Sequence, residues 1–162
     1  MKKIFKSLEI ERKFLIKDAP ENMDTLTQWE IIQGYICSEK EREIRLRKEE
    51  GKYYLTIKCG RGETRSENEI ELSRKQFNSI WPTIIGNKIE KTRYEIPYDN
   101  RTIQLDIFKG YLHGLVLAEV EFNSEEDSAN FLPPEWFGDD VTQDEGYKNK
   151  SLAFYGIPST SL

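Results

Sequence analysis

Leu8-Glu9-Ile10-Glu11-Arg12-Lys13-Phe14-Leu15-Ile16 is the stretch whose reading decides the fold. In an extended strand successive side chains point to opposite faces, so Glu9, Glu11 and Lys13 share one face while Ile10, Phe14 and Ile16 share the other. The apolar row asks for burial. The charged row then either meets open water or lines a hollow that holds a charged ligand.

Composition narrows the field. The 162 residues, 37% apolar and 12% aromatic, suffice for a real core and are read as a single domain over 1–162. A net charge of −5 argues against a nucleic-acid partner held by broad phosphate neutralisation. No apolar run approaches the roughly 18 residues of a membrane-spanning helix, and Met1 to Ser7 lack the apolar stretch of a signal peptide. The expectation is a cytoplasmic protein with no membrane partner. Cys37 and Cys59 fall in strand-like runs without metal-type spacing and are read as reduced core thiols. His113, the only histidine, sits in the glycine-bounded turn Gly110-Tyr-Leu-His-Gly114 and is read as a solvated loop residue rather than a base.

Seven further alternating runs follow: Ile31 to Cys37, Glu43 to Glu49, Tyr53 to Cys59, Arg65 to Leu72, Ile89 to Tyr98, Thr102 to Lys109 and Leu115 to Phe122. Short, turn-rich connections such as Glu50-Gly51 and Asp99-Asn100 suit antiparallel neighbours. Helices are expected through Met23, Leu26 and Trp29, from a Ser73 cap through Phe77, Ile80, Trp81 and Ile84, from Ser124 through Phe131, and over Tyr147 to Tyr155.

Every run divides in the same way. One face holds Glu9, Glu11, Lys13; Gln33, Tyr35; Glu43, Arg45, Arg47; Tyr54, Thr56, Lys58; Arg65, Glu67, Glu69; Lys91, Arg93, Glu95; Gln104, Asp106; and Glu119, Glu121. The other is apolar. The predicted fold is therefore α+β: a closed eight-stranded antiparallel β-barrel, a tunnel with a charged lumen, surrounded by a few α-helices that complete the core outside the wall. An unpaired buried carboxylate costs several kcal/mol even after relaxation, so such a lumen is wet, internally paired or filled by ions.

The two signs suit one ligand. Lys13, Arg45, Arg47, Lys58, Lys91 and Arg93 are donors matched to non-bridging phosphate oxygens, the arginines as bidentate forks. Glu9, Glu11, Asp106, Glu119 and Glu121 are hard oxygen ligands of the kind that hold Mg2+ or Mn2+ together with substrate phosphates. A triphosphate carrying divalent cations satisfies both sets; a self-satisfied network of salt bridges is the alternative.

Glu9-Ile-Glu11-Arg-Lys13 resembles the Glu-x-Glu-x-Lys signature of the CYTH superfamily, the triphosphate tunnel metalloenzymes. The resemblance continues through Gln33-Gly34-Tyr35, Arg45-x-Arg47, Thr56-Ile57-Lys58, Arg65-x-Glu67-x-Glu69, Lys91-Thr92-Arg93, Leu105-Asp106 and Glu119-x-Glu121-Phe122. Pro133-Pro134-x-Trp136-Phe137-Gly138, Val141-Thr142-x-Asp144 and Tyr147-Lys148-Asn149-Lys150 look most like the compact bacterial inorganic triphosphatases. The resemblance implies one or two divalent metals, Mg2+ or Mn2+, on Glu9, Glu11, Asp106, Glu119 and Glu121, with Glu67 and Glu69 as further ligands. It implies that Arg45, Arg47, Lys58, Lys91 and Arg93 grip a small-molecule triphosphate, that Lys148 or Lys150 reaches in near one tunnel end, and that Lys13 and Tyr35 are a pair influencing substrate choice. Glu11, Glu119, Lys13 and Tyr35 are thus the expected catalytic set. The activity implied is hydrolysis of tripolyphosphate to pyrophosphate and phosphate by metal-activated water, with nucleoside triphosphates as further substrates. A class IV-type adenylate cyclase and a non-catalytic polyphosphate-binding module are the competing readings, and the assembly is left open between monomer and homodimer.

Overall fold

The computed structural model describes residues 10–21, 23–39, 41–60 and 66–159. Among these residues nine strands form one sheet: β1 Ile10–Ile16, β2 Gln28–Ser38, β3 Arg42–Glu49, β4 Lys52–Cys59, β5 Ser66–Leu72, β6 Lys88–Tyr98, β7 Arg101–Phe108, β8 Val116–Phe122 and β9 Phe137–Asp140. Their order is β5-β4-β3-β2-β6-β7-β8-β1-β9, and every neighbouring pair is antiparallel. The predicted count of eight is exceeded by one, and among the described residues no ladder joins β5 to β9. The ninth strand escaped notice because it is four residues long and contains Gly138 and two aspartates, all poor strand formers.

Among the described residues there are three α-helices, α1 Arg74–Ile80, α2 Glu125–Ala129 and α3 Asn149–Tyr155, besides short 3-10 turns. α1 begins with a reciprocal capping box, Gln76 N–H donating to Ser73 Oγ while Ser73 N–H donates to Gln76 Oε1 at 2.8 Å. The expected helix through Met23, Leu26 and Trp29 is only a single turn, Met23–Thr25, and Trp29 lies in β2. Its aromatic ring and the β-branched residues that follow favour the pleated surface.

The register keeps the charged residues together. Glu69, Thr56, Arg45 and Tyr35 lie opposite one another in turn across β5, β4, β3 and β2. Trp29, Arg93 and Asp106 do the same across β2, β6 and β7, as do Gln104, Glu119 and Lys13 across β7, β8 and β1. The opposite face carries Phe14, Ile103, Leu105, Val120 and Phe122, packed on Phe131, and Leu46, packed on Phe77 and Ile84. α1 and the segment after α2 therefore cover the apolar side. Gly34 permits this, since a Cβ there would stand 3.0 Å from Ile84 Cδ1 and 3.1 Å from Trp81 Cζ3.

α3 does not join them. Its Leu152 and Ala153 pack with Tyr35, Ile89, Phe108 and Leu117, which share the charged face of their strands, so one end of that face is an apolar core. The expectation of helices only outside the wall is corrected: alternation assigned each strand a face but could not show that the charged face turns apolar along its length. Cys59 is likewise exposed rather than a core thiol, Cys37 is partly buried, and His113 is exposed as expected.

Candidate active site

A continuous chain of opposite charges runs along the middle of the charged face. Lys13 Nζ lies 2.8 Å from Glu119 Oε1, whose other oxygen accepts from Arg93 Nη2 at 3.0 Å. Arg93 also forks onto Asp106, Nε to Oδ1 and Nη2 to Oδ2, and donates Nη1 to Gln104 Oε1, each at 2.7 Å. Lys91 Nζ closes the chain on Asp106 Oδ2 at 2.5 Å. Asp106 and Lys91 are 0% and 2% exposed, so three cations and two carboxylates compensate one another away from water.

The electrostatics follow from that arrangement. Burial alone would raise the Glu119 carboxyl, but Lys91, Lys13 and Arg93 outweigh it and pull it down to about 2. Burial lowers the Lys91 ammonium, with Asp106 opposing. Arg93 is raised: desolvation works against its charge, and the bonds to Asp106 and the field of Glu119 overcome it. Burial pushes the Tyr35 hydroxyl up to about 12, against the pull of Arg45, and Gln33 Nε2 donates to that hydroxyl at 2.9 Å.

The second half of the face is looser. Arg45 Nη2 donates to Thr56 Oγ1 at 3.3 Å and stands 3.9 Å from Glu69 Oε2; Arg47 Nη1 is 3.3 Å from Glu49 Oε2. The Nε–H groups of both arginines are buried without a hydrogen-bond partner. Buried donors are seldom left so, since an unmade bond costs about 1–3 kcal/mol. Lys58 pairs with Glu67 at 3.4 Å, and Thr56 Oγ1 donates to Glu69 Oε2 at 2.8 Å.

The predicted residues therefore separate into groups. Lys13, Lys91, Arg93, Asp106 and Glu119 form the tight chain, while Arg45, Arg47, Lys58, Glu67 and Glu69 form the looser set beside Tyr35. Lys150 reaches to 4.0 Å from Glu43 Oε2 at the α3 end, whereas Lys148 stays at the surface on Glu145. Lys148 and Lys13 both line a cavity of about 880 Å3 along the edge of β1. Glu9 and Arg65 lie outside the described residues. Sequence reasoning passed over Glu49, which continues the Glu43, Arg45, Arg47 alternation by one more step and holds Trp29 Nε1 at 3.0 Å. The period-two pattern carried that signal.

A divalent cation fits the chemistry at the other end of the face. Glu11 and Glu121 lie directly opposite in the β1–β8 register, both exposed, so two carboxylates meet at this end of the face. Glu119, Glu121, Glu95 and Gln104 line a cavity of about 290 Å3. Glu121, with Glu11 opposite it, brings hard oxygen donors with access to solvent, as Mg2+ and Mn2+ require. Among the described residues no three acidic, histidine or cysteine side chains already converge as a finished ligand set. Asp106 and Glu119, both expected ligands, have both carboxylate oxygens engaged within the ion chain, Asp106 by Lys91 and Arg93 and Glu119 by Lys13 and Arg93.

Residues 7–153 match the CYTH domain, and the chain belongs to that family. It is 43% identical over 148 residues to the inorganic triphosphatase of Nitrosomonas europaea, covering 90% of this chain and 96% of that one. It is 36% identical over 147 residues to the inorganic triphosphatase of Acetivibrio thermocellus, covering 89% and 92%. A crystal structure of an inorganic triphosphatase superposes with a TM-score of 0.78 at 41% identity, over 94% of this chain and 98% of the other. Among the described residues no helix is long and apolar enough to cross a membrane.

Proposed function

We propose that this protein hydrolyses inorganic tripolyphosphate to pyrophosphate and phosphate inside a tunnel formed by the charged face. The observation that carries the reading is the pair of buried, unpartnered Nε–H groups of Arg45 and Arg47, two guanidinium forks on one strand with donors to spare for an anion. The tunnel is supported by the shared face: the register keeps the ionic side chains on one side of the sheet, and α3 covers one end of that side, over Phe108 beside Lys91 and Asp106.

Arg45, Arg47 and Lys58 take the non-bridging oxygens, and Lys13 carries charge between Glu119 and the open cavity. Lys91 and Arg93 act from behind, as counterions that hold Asp106 and Glu119 in place. Glu11 and Glu121 would hold Mg2+ or Mn2+, with Glu119 turning to it only by exchanging Lys13 or Arg93 for the ion; when bound, such an ion supplies charge neutralisation and lowers the pKa of a coordinated water. Glu119, ionised throughout the physiological range, orients the attacking water. In-line attack forms one bond from water oxygen to a terminal phosphorus and breaks the bridging P–O bond, so phosphate and pyrophosphate leave in equal amounts. The basic set stabilises the charge that gathers on the phosphoryl oxygens as the bond breaks.

The test is incubation with tripolyphosphate and with ATP, with and without Mg2+ or Mn2+, and assignment of products by phosphorus NMR. Equal phosphate and pyrophosphate from tripolyphosphate, abolished by chelation and restored by either ion, is expected. Binding without turnover, or turnover indifferent to chelation, overturns the reading.

A further inference from the structure

We infer that Arg12, Asp140 and Thr142 form a clamp that positions Lys13 in the active site, an inference whose catalytic consequence rests on the triphosphatase reading. Arg12 sits between Glu11 and Lys13 and so faces away from the charged side. Its guanidinium lies over the Phe14 ring, 4.9 Å from the centroid, and Nη1 donates to the Ser128 carbonyl at 3.1 Å. Nε and Nη2 both donate to Asp140 Oδ2, at 3.0 and 2.8 Å. Asp140 gives its other oxygen to Thr142, accepting from the backbone N–H at 2.9 Å and from the hydroxyl.

A threonine hydroxyl has one proton to give. With that proton directed to Asp140, Thr142 Oγ1 is left as an acceptor, and the group that reaches it is the backbone N–H of Lys13, at 3.0 Å. Val141 N–H donates to the Lys13 carbonyl at 2.8 Å. Both backbone groups of Lys13 thus turn toward the tail and away from β8. In an antiparallel ladder this makes Lys13 and Glu119, which are opposite in register, a non-hydrogen-bonded pair, the kind with the closer side chains. The 2.8 Å contact between ammonium and carboxylate depends on that spacing. The β1–β9 ladder ends at Phe14 and Asp140, so a side-chain hydroxyl takes over where the neighbouring strand stops.

Thr142→Val keeps the shape and removes the acceptor; Thr142→Ser keeps the acceptor. Amide exchange at Lys13 is compared in both, with kcat and KM on tripolyphosphate. In Thr142→Val the Lys13 amide should exchange at least about tenfold faster while β7 amides keep their protection. Its kcat should fall roughly tenfold with KM changed by less than about twofold, because a misplaced charge is felt most in the transition state. Thr142→Ser should stay near wild type in all three. Adding Thr142→Val to Lys13→Gln should lower kcat no further.

A full additional loss in the Lys13→Gln background means Thr142 acts only on the fold, and the clamp is overturned. Wild-type exchange and kcat in Thr142→Val overturn it equally. Should Thr142→Val not fold, Asp140→Asn weakens the same relay and carries the same comparison. A wild-type protein inactive on tripolyphosphate ends the triphosphatase reading alone, because Lys13 amide exchange still decides the clamp.

Discussion

Arg93 and Asp106 stand opposite each other on β6 and β7 and meet through two parallel hydrogen bonds, each 2.7 Å, while Lys91 takes the same carboxylate from its other side. Removing one partner of such a buried set leaves uncompensated charge. Asp106→Asn should therefore cost about 3–5 kcal/mol, read from the urea midpoint at neutral pH. A loss below about 1 kcal/mol would mean that water, not Asp106, balances Lys91 and Arg93.

Glu119 makes stability fall in acid. Its carboxyl lies at about 2 in the folded chain against an ordinary 4.5, because Lys91, Lys13 and Arg93 together exceed the opposing effect of burial. A depressed carboxyl contributes stability that is complete above the ordinary value and is lost as the pH falls from 4.5 toward 2. Up to about 3 kcal/mol should disappear across that window, and Glu119→Gln should flatten this part of the curve in urea unfolding followed by pH.

Arg45 offers the opposite balance of effects. Its Nε–H has no partner to lose and its remaining contacts, 3.3 Å to Thr56 and 3.9 Å to Glu69, are long, so Arg45→Ala should change unfolding free energy by no more than about 1 kcal/mol. KM for tripolyphosphate should rise on the order of tenfold or more, and Arg45→Lys should not restore it, because an ammonium lacks the fork. Initial-rate kinetics on the three proteins check this, and an unchanged KM in Arg45→Ala would remove Arg45 from the binding set.

Gly34 is a packing site on the reverse of the sheet. With Ile84 Cδ1 and Cγ2 at 3.0 and 3.2 Å and Trp81 Cζ3 at 3.1 Å from where a Cβ would stand, Gly34→Ala forces the turn after α1 outward. A loss of about 1–3 kcal/mol is expected in denaturant unfolding.

Much of this was legible in the chain. Period-two alternation located all eight longer strands and placed Lys13, Arg45, Arg93, Asp106 and Glu119 on one face, because a strand that buries one side leaves the register little freedom. What alternation cannot state is who pairs with whom. The sequence groups Asp106 with the other carboxylates of the face; only the register of β6 and β7 shows it lying between Lys91 and Arg93. Trp29 looked helical because Met23, Leu26 and Trp29 are spaced three apart, and the sheet overrode that spacing. α3 was visible as a helix, but its resting place against Tyr35 and Phe108 depends on which end of the charged face happens to be apolar.

The alternating ions from Lys13 through Glu119, Arg93 and Asp106 to Lys91 constrain how relatives can diverge. Altering one of the five strands its neighbour, so a tolerated exchange there calls for a compensating change on another of β1, β6, β7 and β8. Glu67 and Glu69 of β5 lie on one edge of the sheet and answer to Lys58, Thr56 and Arg45 of β4 and β3, so a change there is felt at those neighbours.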